Sequence, residues 1–298
     1  MLKIPNLKKK EILAPYTTYK IGGLADYFVV ATTSLELINA VKEARREKIP
    51  YFVLGTGANI LFGDKGFRGL VIKNESNNFR LEKNILTAES GALISDLISE
   101  TAKQSLSGLE HFAGIPSTVG GALWQNLHFL SPDRQRTIFI EEILANAKLL
   151  TENNEVIRVD KNFFQFRYDY SILHDQNLIV IEATFNLIPD TKENIQAQIQ
   201  KNLEWRNEKQ PSLDKYPSCG SVFKKVEGVG AGKLIQQVGL KGYKIGGIQS
   251  SEQHANFLVN TGNGTASDVI ALIKLIQKNV KEETGYELET EIGLIGEF

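Results

Sequence analysis

The stretch VLGTGANILFGDKGFRG, residues 53–69, places Gly55 and Gly57 at the end of a strand-like run, YFVLG (residues 51–55). Glycines there let main-chain N–H groups come close to a phosphate. A dinucleotide fold asks for more, namely a third glycine and a helix opening directly behind it. Ile60 occupies the third glycine's place, and Gly63, Gly66 and Gly69 break up the segment that follows. The spacing therefore predicts a turn of another kind, in which no helix N-terminus holds a diphosphate. Taken alone, the motif fits a tight turn without any ligand equally well.

A second loop of this type is HFAGIPSTVGGALWQN, residues 111–126. Gly114, Gly120 and Gly121 surround Pro116, Ser117 and Thr118, a mixture of permissive backbone, rigid turn and hydroxyl donors. Two glycine-hydroxyl loops in one half of the chain point to two walls of an extended, phosphate-bearing cofactor. A third stretch, GVGAGKLIQQ (228–237), ends like a nucleotide-binding P-loop. Glu227 stands where the first glycine belongs, and Leu234 replaces the hydroxyl residue that would hold magnesium. It is not an NTPase loop.

Around these loops, strands and helices alternate. DYFVVAT (26–32) and YFVLG are β-branched and aromatic, hence strand-like. Between them SLELINAVKEARREK (34–48) reads as a helix capped by Ser34, with Leu35, Ile38, Val41 and Ala44 facing inward. GLVIKN (69–74) and NILTAESG (84–91) follow as strands. ALISDLISETAKQS (92–105) is a helix with Leu93, Leu97 and Thr101 at spacing four. Strands are expected at ILANAKLLTE (143–152), EVIRVD (155–160) and LIVIEATFNLI (178–188), where Pro189 ends the run. A helix over Thr191–Glu208, with Ile195, Ile199 and Leu203 in register, marks the main boundary. The expected domains are 1–190, in subdomains of about 1–72 and 73–190, and 191–298. The second closes with an amphipathic helix from Ser267 to a stop at Gly285, carrying Val269, Leu272, Ile273, Ile276 and Val280 inward, and with strand-like YELETEIGLIG (286–296).

Composition bounds the function. The chain has 298 residues, 42% hydrophobic and 23% charged, as in ordinary globular proteins. Lys+Arg 34 against Asp+Glu 35 gives a net charge of -1, so no broad field calls for nucleic acid or an anionic membrane. Phosphate recognition must then be local. One Cys and four His supply neither a disulfide framework nor a metal constellation, which suits a reducing cytoplasm. No apolar run approaches the roughly 18 residues of a membrane span. The basic N-terminus lacks the apolar stretch of a signal peptide.

Six blocks, in order, carry a family resemblance: YTTYKIGGLADYFV (16–29), LGTGANIL (54–61), LEHFAGIPSTVGGAL (109–123), PSCGSVFKK (217–225), AGKLIQQVGLKGYKIGGIQSSEQHANFLVN (231–260) and LETEI (288–292). Together they resemble the UDP-N-acetylenolpyruvoylglucosamine reductases, also called UDP-N-acetylmuramate dehydrogenases, of bacterial cell-wall synthesis. The resemblance implies an α+β fold, with an FAD-binding half of the vanillyl-alcohol-oxidase/p-cresol-methylhydroxylase type and a smaller C-terminal substrate domain. It implies FAD held through Gly55, Thr56, Gly57, Ala58, Asn59, Ile60 and Leu61, and through Gly114, Ile115, Pro116, Ser117, Thr118, Gly120, Gly121 and Ala122. NADPH would be the co-substrate, entering the pocket of the UDP-sugar in turn, and the chain would be a cytoplasmic monomer. A flavoprotein of the same fold acting on another small acid or nucleotide sugar, or a non-catalytic flavin-binding descendant, is the alternative.

The implied reaction adds hydride to one carbon of an enolpyruvyl double bond, so negative charge builds toward the carboxylate and the neighbouring carbon needs a proton. The resemblance gives the proton donor as Ser221 and the catalytic carboxylate as Glu291. Glu289 and Glu291, two apart, would share one side of a strand and could form a proton relay. Cys219 reads as a small packed residue and Ser218 as a turn residue after Pro217. His254 is expected to line the substrate domain; His128 and His174 are expected at turns or on the surface.

Departures cluster around the substrate. In FFQFRYDYSILH (163–174), Phe166, Tyr168 and Ser171 align with the family, but Asp169 stands where an arginine polarises the developing enolate. WQNLHFLSPDRQRT (124–137) replaces an asparagine-alanine-glycine turn and retains only Asn126. Lys225 and Val226 replace an Asn-Pro, and Gly293 stands in place of an arginine. Arg167 is the nearest substitute for the lost arginine, with Arg134 and Arg136 as others. Tyr168, Lys225 and His254 are the expected substrate contacts.

Overall fold

The computed structural model describes residues 2–226 and 228–298; Glu227, invoked above against a P-loop, lies outside them. Among the described residues six α-helices run α1 Ser34–Arg46, α2 Ile94–Lys103, α3 Val119–Gln125, α4 Lys192–Lys209, α5 Ala231–Gln237 and α6 Ala266–Thr284. The chain forms two compact units, each assembled from separate segments: residues 1–7, 29–55 and 72–205 in the first, and 8–28, 56–71 and 206–298 in the second.

The first unit is built on a five-stranded antiparallel sheet of the strands Val156–Asp160, Leu144–Leu150, Ile179–Asn186, Ile85–Glu89 and Phe79–Glu82, in that order. Ala147 pairs with Ala183, and Ala183 with Ala88, so a row of small buried residues crosses the sheet. Such a row lets a helix approach closely, and α3 packs on two of the strands that carry it, Ile179–Asn186 and Ile85–Glu89, burying Val119, Ala122 and Leu123. In α1 the inward face is Leu37, Ala40, Val41 and Ala44; Leu35, expected inside, is 66% exposed because it lies on the opposite side of the helix. Thr33, not Ser34, caps α1, its hydroxyl accepting from the Glu36 N–H at 3.2 Å. Leu93 likewise lies at the N-cap of α2, half exposed, while Leu97 and Thr101 are buried.

The second unit centres on α6. Its buried stripe is Val269, Leu272, Ile273, Ile276 and Val280, and Gly285 ends it at φ 77°. Thr265 and Asp268 form a reciprocal capping box. The carboxylate of Asp64 adds a second cap, accepting from Ala266 N at 2.7 Å and Ser267 N at 2.9 Å. A three-stranded antiparallel sheet (Lys244–Ile245, Ile248–Ser250, Leu258–Asn260) and α5 complete the core with Tyr19, Leu61, Cys219 and Phe223. Of the expected strand 286–296 only Gly293–Ile295 is one, pairing in parallel with Ile60–Phe62. Glu289–Glu291 is extended and held by one bridge, Phe223 to Thr290.

Among the described residues no helix is long and apolar enough to cross a membrane, and no group of three or more His, Cys, Asp or Glu is placed to hold a metal ion.

Candidate active site

The two glycine loops divide between the units. Gly55 and residues 114–122 belong to the first, Thr56–Leu61 to the second. In the first unit Gly55 lies against Thr118: a Cβ at Gly55 would come within 2.8 Å of the Thr118 hydroxyl oxygen. Thr118 caps α3 by accepting from Gly121 N at 3.2 Å. Gly120 N donates to Ser90 O at 2.7 Å and Val119 N to Ala92 O at 2.9 Å, which pins the loop to the sheet. Ile115 N donates to Phe112 O at 3.1 Å. Gly114 and Gly121 are exposed; Ile115, Pro116 and Ser117 are partly so, and Ala122 is buried.

In the second unit Gly57 has φ 67°, and a Cβ there would meet Tyr16 O at 2.8 Å. Only glycine fits that turn. Thr18 N donates to Gly57 O at 3.3 Å, and Gly293 N to Asn59 O at 3.0 Å. Ile60 and Leu61 are fixed by their parallel pairing with Gly293 and Leu294. Thr56, Ala58, Asn59 and Ile60 remain partly exposed. Neither 55–61 nor 114–122 contains a carboxylate, and in the first unit the ammonium of Lys73 donates to Gly55 O at 2.5 Å. Accessible glycine backbone, hydroxyls and a nearby cation fit a diphosphate-bearing group such as FAD.

Ser221 sits in the second unit on an extended segment gripped from two sides. Ser221 bridges Phe257, and Val222 N donates to Asn256 O at 2.9 Å. On the other side Glu291 N donates to Val222 O at 2.8 Å, and Lys224 N to Glu289 O at 2.9 Å. The Asn256 side chain locks the segment by accepting from Phe223 N at 2.9 Å and donating to Phe223 O at 2.8 Å. Asn256 was not singled out in the sequence; its one signal is a polar side chain directly in front of the apolar run FLV in HANFLVN (254–260). The structure thus brings Ser221 and Glu291 onto neighbouring segments.

Gly220, at φ 82°, has open space about it, and Ser221 is partly exposed. Cys219 is 2% exposed; burial, aided by the Glu291 charge, raises its thiol far above the usual range. It is packed and protonated. Ser218 is buried as well. The Glu289 carboxylate pairs with Lys224 Nζ at 2.6 Å in solvent. His254 is partly buried, its Nδ1 accepts from Asn256 N at 3.3 Å, and burial lowers its pKa, so it is neutral. Lys225 is exposed.

In the first unit the Arg167 guanidinium lies 4.0 Å from the Tyr170 ring centre, and the two residues close a turn through Arg167 N to Tyr170 O at 3.1 Å. Asp169, at φ 52°, turns its carboxylate inward: it is 6% exposed and lies 3.8 Å from His128 Nδ1. His128, expected at the surface, is half buried there, with Nδ1 also 3.1 Å from Asn126 O and its ring 4.5 Å from that of exposed Tyr168. The carboxyl group at the arginine's place therefore faces the protein. Arg167 instead lines an open groove with Glu141, Lys161, Asn162, Gln165 and Phe166. Arg134 is committed elsewhere, over Phe129 and Trp205 at 5.5 and 5.4 Å and donating to Asn202 at 3.2 Å. Arg136 pairs with Glu142 at 2.9 Å.

Two family models match the chain: one described as an FAD binding domain over residues 25–160, and one described as the C-terminal domain of UDP-N-acetylenolpyruvoylglucosamine reductase over residues 210–295. The UDP-N-acetylenolpyruvoylglucosamine reductase of Caldanaerobacter subterraneus subsp. tengcongensis is 41% identical over 298 residues, 100% of this chain and 96% of that protein. That of Streptococcus pneumoniae (strain Hungary19A-6) is 38% identical over 98% of this chain and 95% of that one. The crystal structure of UDP-N-acetylenolpyruvylglucosamine reductase from Thermus caldophilus superposes with a TM-score of 0.80 at 31% identity, covering 96% of this chain and 97% of that chain.

Proposed function

The chain belongs to the UDP-N-acetylenolpyruvoylglucosamine reductase family, and from that premise we propose how its own residues divide the work. It is an FAD-dependent oxidoreductase of α+β fold that reduces the enolpyruvyl group of UDP-N-acetylglucosamine enolpyruvate to give UDP-N-acetylmuramate for peptidoglycan. When bound, FAD supplies hydride chemistry that no side chain has. Its diphosphate and flavin are held through residues 55–61 and through 114–118 and 120–122. NADPH is the electron source, and the reaction acts on a CH–CH bond.

The carbon–carbon double bond is consumed by one hydride and one proton. Ser221 delivers the proton through its hydroxyl, and Glu291 is the group that resupplies it. The backbone hydrogen bond from Glu291 to Val222 is the observation that carries this assignment, because it fixes the two residues on adjacent segments. Cys219 takes no part: a buried, protonated thiol is neither nucleophile nor acid at neutral pH. Negative charge developing on the substrate carboxylate is met by Arg167, with Lys225, His254 and Tyr168 as further substrate contacts.

The test is steady-state oxidation of NADPH by the purified, FAD-loaded chain with UDP-N-acetylglucosamine enolpyruvate, the product being identified by mass spectrometry. Substrate-dependent NADPH consumption and a product heavier by two hydrogens are expected. NADPH oxidation that ignores this substrate would overturn the assignment.

A further inference from the structure

Lys73 sits at the end of the strand Phe67–Asn74, in an otherwise apolar run, GLVI, that is buried. Its side chain is partly buried, and burial lowers its pKa, with Glu75 partly offsetting this. Among the described residues no carboxylate lies within ion-pair distance of its Nζ, and its hydrogen bond is to Gly55 O at 2.5 Å. Desolvated cations in proteins are normally paired or bind a ligand. An ammonium has three N–H donors, and a single carbonyl takes one.

The place of this cation is specific. It holds the carbonyl of the glycine that opens the first loop, and that glycine touches Thr118, the cap of the second loop. One lysine thus connects to both glycine loops inside the first unit. We propose that Lys73 is the cationic partner of the FAD diphosphate and fixes the Gly55 turn against it. This rests on the FAD reading of the two loops.

The test compares binding of FAD and of riboflavin, which lacks the phosphates, to apo-protein by quenching of flavin fluorescence. In the wild type, FAD binding should weaken with added salt while riboflavin binding does not. Lys73→Met should weaken FAD roughly 10- to 100-fold, the range for a charge-assisted hydrogen bond, and leave riboflavin unchanged. Lys73→Arg should recover most of the FAD affinity, with a circular dichroism spectrum matching the wild type. Equal losses for both flavins in Lys73→Met would reduce Lys73 to a prop for the turn. Unchanged FAD affinity with weaker UDP-sugar binding would move its charge to the substrate's diphosphate. Either result overturns the proposal, as does a wild-type FAD affinity that ignores salt. If wild-type apo-protein bound neither flavin, the cofactor reading itself would fail instead.

Discussion

The N–H of Glu291 donates to the carbonyl of Val222 at 2.8 Å, so the residue after Ser221 is hydrogen-bonded directly to the residue proposed to resupply its proton. Two segments some 70 positions apart in the chain are held in register by main-chain bonds, with the Asn256 side chain bracing the Ser221 segment, and none of these bonds uses the Ser221 hydroxyl.

That frame allows Ser221 and Cys219, which flank Gly220, to be tested separately. Ser221→Ala should cut turnover by roughly 10²–10⁴, the usual contribution of a positioned proton donor, and leave the flavin spectrum as it is. Cys219→Ala should retain turnover within about threefold and lose a little stability through the small cavity it leaves. In the folded wild type, Cys219 should resist a thiol reagent such as DTNB and react once the protein is unfolded. Rapid labelling of the native protein would show that the thiol is not packed as described.

Asp64→Ala removes three charge-assisted bonds from the start of α6, donated by Ala266 N, Ser267 N and the Ser267 hydroxyl. The loss should be about 1 kcal/mol, within the range of N-cap replacements, with a fall of a few degrees in Tm. Asp64→Asn should recover most of the hydrogen bonding and part of the stability. Thermal unfolding followed by circular dichroism decides; no difference between the three proteins would mean that the Thr265–Asp268 capping box alone satisfies the helix end.

His254 ties stability to pH. Its folded pKa is lowered by burial below the unfolded value of about 6.5, so the unfolded chain binds the proton more readily. Its contribution is fully present above pH of about 6.5 and is lost as pH falls from there through the folded pKa. Denaturant midpoints measured from pH 7.5 down to pH 5 should therefore decline more steeply in the wild type than in His254→Asn. Parallel slopes would remove His254 as a source of the pH dependence.

Arg167 and Arg136 make a matched pair of substitutions. Arg136 is spent on Glu142 at the surface, whereas Arg167 lines an open groove. Arg167→Ala should slow flavin reoxidation by substrate by about 10² while leaving its reduction by NADPH intact. Arg136→Ala should leave both steps within twofold. The reverse pattern would place the substrate's charge partner at Arg136.

Much of the local structure could be read from periodicity and punctuation. The stripe of α6 and its stop at Gly285 follow from 3.6-residue spacing and a glycine that tolerates φ 77°. The inward face of α1 followed only in part: Val41 and Ala44 are buried, whereas Leu35 fits an apolar template although the tertiary contacts turn it outward. Nothing local announces that residues 8–28 and 56–71 share a compact unit with residues 206–298, since parallel pairing of Ile60 with Gly293 joins segments more than 200 positions apart. The glycine loops were legible by residue type. Asn256, Lys73 and Asp64 were not, because a single polar residue signals a role only when its partner is known. The inward turn of Asp169 toward His128 needs a left-handed backbone that the residue type permits without demanding.

The most direct test of the central claim is anaerobic. The FAD-loaded protein is reduced with NADPH, UDP-N-acetylglucosamine enolpyruvate is added, and the oxidised flavin absorbance is followed. Rapid return of the band is expected, at least as fast as steady-state turnover and with one product formed per flavin. A flavin that is reduced by NADPH and then stays reduced in the presence of this substrate would contradict it.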